Sequence, residues 1–127
     1  MARWAWTEVA VPTDLSVTSL LFLDTGRLIV GTDFEILVTD DFGGTWDDIR
    51  NNIEEGSMYG ITVRGLAYEP GAPGRLWAAL GGTYAIAPIW VLRDGETDWT
   101  PWNAPTGWDA DPLNGAAFFT DIATYAD

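Results

Sequence analysis

Thr39-Asp40-Asp41-Phe42-Gly43-Gly44-Thr45-Trp46 is the stretch on which the reading of this sequence turns. It carries turn punctuation, Asp41-Phe42-Gly43-Gly44, between two candidate strands at 35–39 and 45–49. A reversal this tight must satisfy its own backbone donors. Asp41 can accept hydrogen bonds from turn amides in the manner of an Asx-turn, Gly43 can take the conformation that a Cβ would oppose, and Thr39 and Thr45 can bond across the turn. Trp46 then brings a large ring to be buried against a neighbouring unit, with its N–H free to find an acceptor.

Outward from this turn, short runs rich in Val, Ile, Leu, Thr and aromatic residues recur between Gly, Pro and Asp, and helical periodicity is missing nearly everywhere. The fold class expected is all-β. Candidate strands fall at 4–11, 16–23, 27–31, 35–39, 45–49, 62–68, 76–80, 86–92, 98–102 and 116–123. Asp24-Thr25-Gly26, Pro70-Gly71-Ala72-Pro73-Gly74, Gly81-Gly82 and Asp94-Gly95 are further turns.

The strands repeat as a set. Gly26-Arg27-Leu28-Ile29-Val30-Gly31 is echoed by Gly74-Arg75-Leu76-Trp77-Ala78-Ala79, each preceded by an apolar strand and followed by another strand and then a Trp-bearing one. Trp46 closes the first unit and Trp99 the second. Trp6, in Ala5-Trp6-Thr7-Glu8-Val9, reads as the closing strand of an earlier unit, and Gly115-Ala116-Ala117-Phe118-Phe119 as the opening of a later one. Four strands at a spacing of about forty to fifty residues is the range of a propeller blade.

At this point the chain resembles a known family. Thr39 through Trp46 is similar to the Asp-box, Ser/Thr-x-Asp-x-Gly-x-Thr-Trp, of the bacterial-neuraminidase-repeat propellers found in sialidases, sortilin-like receptors, xyloglucan-cleaving glycosidases and photosystem assembly factors. Val63 through Trp77, with its Pro-x-x-Pro turn, looks like the opening and second strands of such blades. The resemblance covers most of residues 16–102. It implies β-propeller blades of four antiparallel strands, about two blades plus partial blades at both ends. The expected layout is a single incomplete unit over 1–127, with a closing strand at 1–11, blades at 16–50 and 61–102, and the start of a further blade at 115–127. The structural box residues are then Thr39, Asp41, Gly43, Thr45 and Trp46. A worn second version, Leu92-Arg93-Asp94-Gly95-Glu96-Thr97-Asp98-Trp99, keeps Asp94 and Trp99 but loses the first hydroxyl and shifts the Gly. A ring usually needs four to eight blades, so three arrangements are open: an excerpt of a longer polypeptide, several copies in a ring or array, or blades seated on another partner.

Composition narrows the function classes. The 127 residues carry nineteen acidic side chains against six basic ones, for a net charge of −13, and every basic residue is Arg. A polyanion repels phosphate backbones and anionic headgroups, so no nucleic acid is expected as a partner. The apolar stretches are strand-sized, so no membrane insertion is expected either. Residues 1–6 hold one Arg and no apolar core of a leader, so no targeting segment is expected. With no Cys and no His, disulfides, thiolate catalysis and the commonest general base and transition-metal ligand are absent.

Catalysis is therefore disfavoured, and no catalytic residue is assigned. A sialidase clamp needs three converging Arg, whereas Arg27 and Arg75 hold equivalent positions in the repeat and read as structural or surface residues. Paired-carboxylate hydrolysis is chemically open, but solvated acidic loops account for most of the acids. No cofactor is expected; calcium is the one metal that the chain's hard oxygen donors suit, at Asp109-Ala110-Asp111-Pro112-Leu113-Asn114-Gly115, where Pro112 and Gly115 fall out of step with a calcium loop. Trp90, Trp102 and Trp108 are the candidate contact residues, since exposed indole faces stack on sugar rings, with packing between blades as the alternative. The function expected is a non-catalytic propeller module with an interaction or structural role in a cell-surface, secreted, extracellular or virion (phage tail or capsid) assembly. Its partner would be another protein or a further copy, met through blade edges, with carbohydrate as a further candidate. The rival reading is an excerpt of a sialidase-like or xyloglucanase-like glycosidase propeller.

Overall fold

The computed structural model describes residues 5–56, 62–81 and 89–102. Among these residues eight strands form two sheets in chain order: β1 (Val17–Phe22), β2 (Leu28–Thr32), β3 (Ile36–Thr39) and β4 (Asp47–Asp48), then β5 (Thr62–Glu69), β6 (Arg75–Gly81), β7 (Ile89–Arg93) and β8 (Thr100–Pro101). Each sheet is a four-stranded antiparallel meander, β1-β2-β3-β4 and β5-β6-β7-β8, and neither closes on itself. The one helical element among the described residues is a 3₁₀ turn at Asn51–Gly56. The chain is all-β, as its punctuation implies.

The two sheets repeat each other in register. Phe22 pairs with Leu28 and Leu28 with Thr39; correspondingly Tyr68 pairs with Leu76 and Leu76 with Leu92. Both first strands carry a bulge at the same place, between Val17 and Ser19 and between Val63 and Gly65. Leu28 and Leu76 thus occupy one position of the repeat, as the echoed sequences require, and Trp46 corresponds to Trp99.

Cross-strand partners share a face, which sorts the side chains. One face of the first sheet carries Ile29, Ile36 and Val38. It packs on the face of the second sheet that carries Val63, Leu66, Leu76, Ala78, Leu80, Trp90 and Trp99, with Ile53 of the 3₁₀ turn inserted between them. Fully burying an aliphatic side chain of this size contributes about 1.5–3 kcal/mol, so this seam is the main source of cohesion between the sheets. First strand lies against first strand: the Thr18 and Ser19 hydroxyls both donate to the Val63 carbonyl, at 2.6 and 3.1 Å. The approach demands Gly31, because a Cβ there would lie 2.2 Å from Ser19 Oγ and 2.6 Å from Val63 Cγ1.

Two expectations are corrected. Residues 5–11 lie in no strand, and Trp6 is 98% exposed; a closing strand forms only by pairing, and no edge among the described residues receives it. The Trp-bearing strands expected at 45–49 and 98–102 shorten to Asp47–Asp48 and Thr100–Pro101. Their ends still bond to the sheets, Ile49 N to Ile36 O at 2.8 Å and Trp102 N to Ile89 O at 2.9 Å. The strand expected at 86–92 runs over Ile89–Arg93 within the described residues. The strand expected at 116–123 and the unit expected at 115–127 lie outside them.

Candidate functional site: two turns and the seam they flank

The turn after β3 is held from within. Thr39 Oγ1 donates to Asp41 Oδ1 at 2.8 Å and accepts from the Gly43 amide at 2.9 Å. Asp41 also accepts from the Thr45 amide, at 2.8 Å, and from the Thr45 hydroxyl, at 2.9 Å. These donors, the Thr45 amide foremost, then the Thr39 and Thr45 hydroxyls, hold the Asp41 carboxyl below the usual carboxylate range. Gly43 has φ +92°, the left-handed region that a Cβ opposes. Thr39, Asp41, Gly43 and Thr45 are thus joined in one hydrogen-bonded circuit.

Two features of this turn were not expected. Phe42 has φ +54°, a conformation that costs a residue with a Cβ about 1–2 kcal/mol. Its ring, 70% exposed, lies 6.2 Å from that of Phe22. The second is the Trp46 indole nitrogen, which is buried without a hydrogen-bond partner, an arrangement that costs about 1–3 kcal/mol.

The corresponding turn after β7 is held from outside. Asp94 accepts from the hydroxyl of Tyr68 on β5, two strands away, at 2.7 Å. That bond, then desolvation, raises the Tyr68 pKa. Gly95 (φ +86°) and the bond from Glu96 N to Arg93 O close the reversal itself. Trp99 is 2% exposed, and its indole N–H donates to the Ile49 carbonyl at 2.7 Å. Asn52 grips the same residue through its backbone: its amide group donates to Trp99 O at 2.8 Å, and its Oδ1 accepts from Trp99 N at 2.7 Å. Asn51, in the left-handed region that asparagine tolerates, donates to Thr97 O at 2.5 Å. The linker leaving the first sheet is thus the clamp of the second.

Along the seam runs an open groove of about 720 Å³, whose polar lining includes Arg27, Asp40, Tyr68, Arg93, Asp94 and Glu96. Its cations are engaged: Arg27 with Asp40 at 2.8 Å and Arg93 with Glu96 at 3.9 Å. The Arg27 hydrogen bond lowers the Asp40 pKa, and Arg27 is raised in return. Arg75 is spent on Glu69 at 3.0 Å. Such exposed pairs contribute about 0–1 kcal/mol each. Asp40 and Asp41, held ionised, are the reverse of what a general acid requires. Among the described residues no three acidic side chains gather as a metal site would require, and no helix is long and apolar enough to cross a membrane.

Of the candidate contact residues, Trp90 is corrected: it sits in the core between the sheets, 8% exposed, because its place on β7 points into the seam. Trp102 is half-buried at the end of β8. Trp108 and the calcium candidate at 109–115 lie outside the described residues. Asn52, Ile53 and Tyr68 were missed; only the repeat, which sets Phe22 opposite Tyr68, marked any of them. Comparison with known proteins gave no matching family model, no matching curated protein and no matching solved structure.

Proposed function

We propose that this chain is a non-catalytic module of β-propeller blades of the Asp-box type, with an interaction or structural role in a cell-surface, secreted or virion assembly. The observation that supports this reading is the repetition of one unit. Two meanders share strand order, register and bulge, and the first strand and inner face of one lie against those of the other, which is how blades stack. The hydrogen-bonded circuit from Thr39 to Thr45 also supports the reading. In the groove the arginines are paired, Arg27 with Asp40 and Arg93 with Glu96, so neither forms part of a converging arginine clamp.

The test is an assay of the purified chain against chromogenic sialosides and β-glucosides, with titration of sialyl and xyloglucan oligosaccharides followed by tryptophan fluorescence. No turnover and no saturable quenching are expected. Turnover of either substrate class would overturn the proposal in favour of a glycosidase.

A further inference from the structure

We infer that the groove along the seam is a binding site for an extended, arginine-bearing segment of a partner protein, which lays aliphatic stems on the groove floor and brings its guanidinium groups to Asp24 and Asp47. The inference rests on, and deepens, the reading of the chain as an interaction module. The seam is sealed toward one end and open toward the other. At the sealed end Ile36, Val63 and Leu80 are 2% exposed or less. Toward the end where the strands turn, Leu23, Ile49 and Leu92 pack against the same core yet stay only partly buried. They line the groove of about 720 Å³, with Ile29, Val38 and Leu76 as its deeper floor.

The rim is charged, and its charges do not balance. Five carboxylates, Asp24, Asp40, Asp47, Asp94 and Glu96, face two guanidiniums, Arg27 and Arg93, which leaves −3. Both arginines and three of the acids are engaged, with one another or with Tyr68. Asp24 and Asp47 make no hydrogen bond or ion pair with any other described residue. The register places Asp47 in one cross-strand row with Leu21, Ile29 and Val38, on the side of the first sheet that faces the seam. The matching row of the second sheet, Ala67, Trp77 and Val91, ends instead on the uncharged Thr100. A carboxylate thus closes an apolar row at the edge of an apolar trough, with no cation of the described chain to meet it.

The chemistry of the occupant follows. An anionic ligand would find both arginines already engaged, and the described acids do not gather in threes as a metal site requires. What complements apolar floor and acidic rim together is a cation carried on an apolar stem. An arginine side chain covers apolar surface with its methylenes while its head stays at the water boundary, and its planar guanidinium matches a carboxylate. The volume lies within the range of about 300–1,000 Å³ found for ligand sites, and the groove is open along its length, which suits several residues of an extended chain. The net charge of −13 adds attraction at longer range, and salt screens it.

Fluorescence anisotropy of a labelled, capped peptide alternating arginine with leucine, titrated with the full chain at low and high salt, tests the inference. Saturable binding that weakens with salt is expected. Asp24→Asn with Asp47→Asn should weaken it about fivefold, the loss of two exposed ion pairs. Leu92→Thr, which strips part of the floor and leaves every rim charge in place, should weaken it as well. Glu8→Gln with Asp14→Asn removes the same charge from exposed positions off the groove and should change binding by less than about twofold. Circular dichroism of each variant reports that the sheets are retained. Absence of saturable binding, equal losses from the two pairs of neutralised acids, or spermidine competing as well as the unlabelled peptide overturns the inference. Any of these without glycoside turnover leaves the module reading standing, whereas turnover would remove that reading itself.

Discussion

The turns at Thr39–Trp46 and at Leu92–Trp99 occupy the same place in the two sheets and are secured in opposite ways. The first is a closed circuit in which Asp41 takes the Thr45 amide and two hydroxyls, yet its tryptophan is left with an unsatisfied N–H. The second has no such circuit, and its tryptophan is locked by Ile49 and Asn52 from the preceding linker. A position in a repeat can therefore be fixed by its own residues or by its neighbour's. Where a neighbour holds the tryptophan, the turn is free to lose its hydroxyls.

The contrast is broken most severely at Trp99. Trp99→Ala should destabilise the chain by about 3–5 kcal/mol, since it empties a fully buried indole site, whereas Trp46→Ala, at a half-buried ring, should cost visibly less. Urea unfolding midpoints of the two variants check this, and equal losses would erase the distinction.

Asn52→Ala is the next largest. It removes both bonds to the Trp99 backbone and should cost about 1–3 kcal/mol. The Trp99 backbone amide should become the first to lose protection in hydrogen exchange, while the Trp99 indole N–H, held by Ile49, keeps its own.

The smallest effect is the acid dependence of the first turn. Because its folded pKa is depressed, Asp41 contributes stability that is present above the ordinary Asp value of about 3.9 and is lost as pH falls through the folded value. Asp41→Asn should therefore be less stable than the parent near neutrality and should flatten the decline below about pH 4. Unfolding midpoints measured across that range give both slopes, and parallel curves would show that the carboxylate does no such work.

What was legible in the sequence was local. The turn at 39–46 could be read because its donors and acceptors lie within a few residues of one another, and the repeat because register follows from alternation and turn length. The closing strands were read too long because their residues look extended, while Thr45 belongs to the Asp41 circuit. Trp6 looks like Trp46 in sequence, but whether it pairs depends on an edge that the residues themselves do not supply. Trp90 was misread because an indole in a strand carries no label for the face it occupies. Asn52 and Tyr68 act across tens of residues, and no spacing rule announces such a partner.

The linker after β4 also bears on where this chain tolerates a change of length. Connections between strands are ordinarily the places where insertions are absorbed at little cost. The segment from Ile49 to Asn52 is an exception, because its two ends hold one tryptophan, Ile49 by its carbonyl and Asn52 by its side chain. Its length is a fixed gauge. An inserted residue there would pull one hold off Trp99 while leaving every strand pairing intact, whereas the hairpin tip at Asp24-Thr25-Gly26 makes no backbone bond across the seam among the described residues and should absorb added length at lower cost.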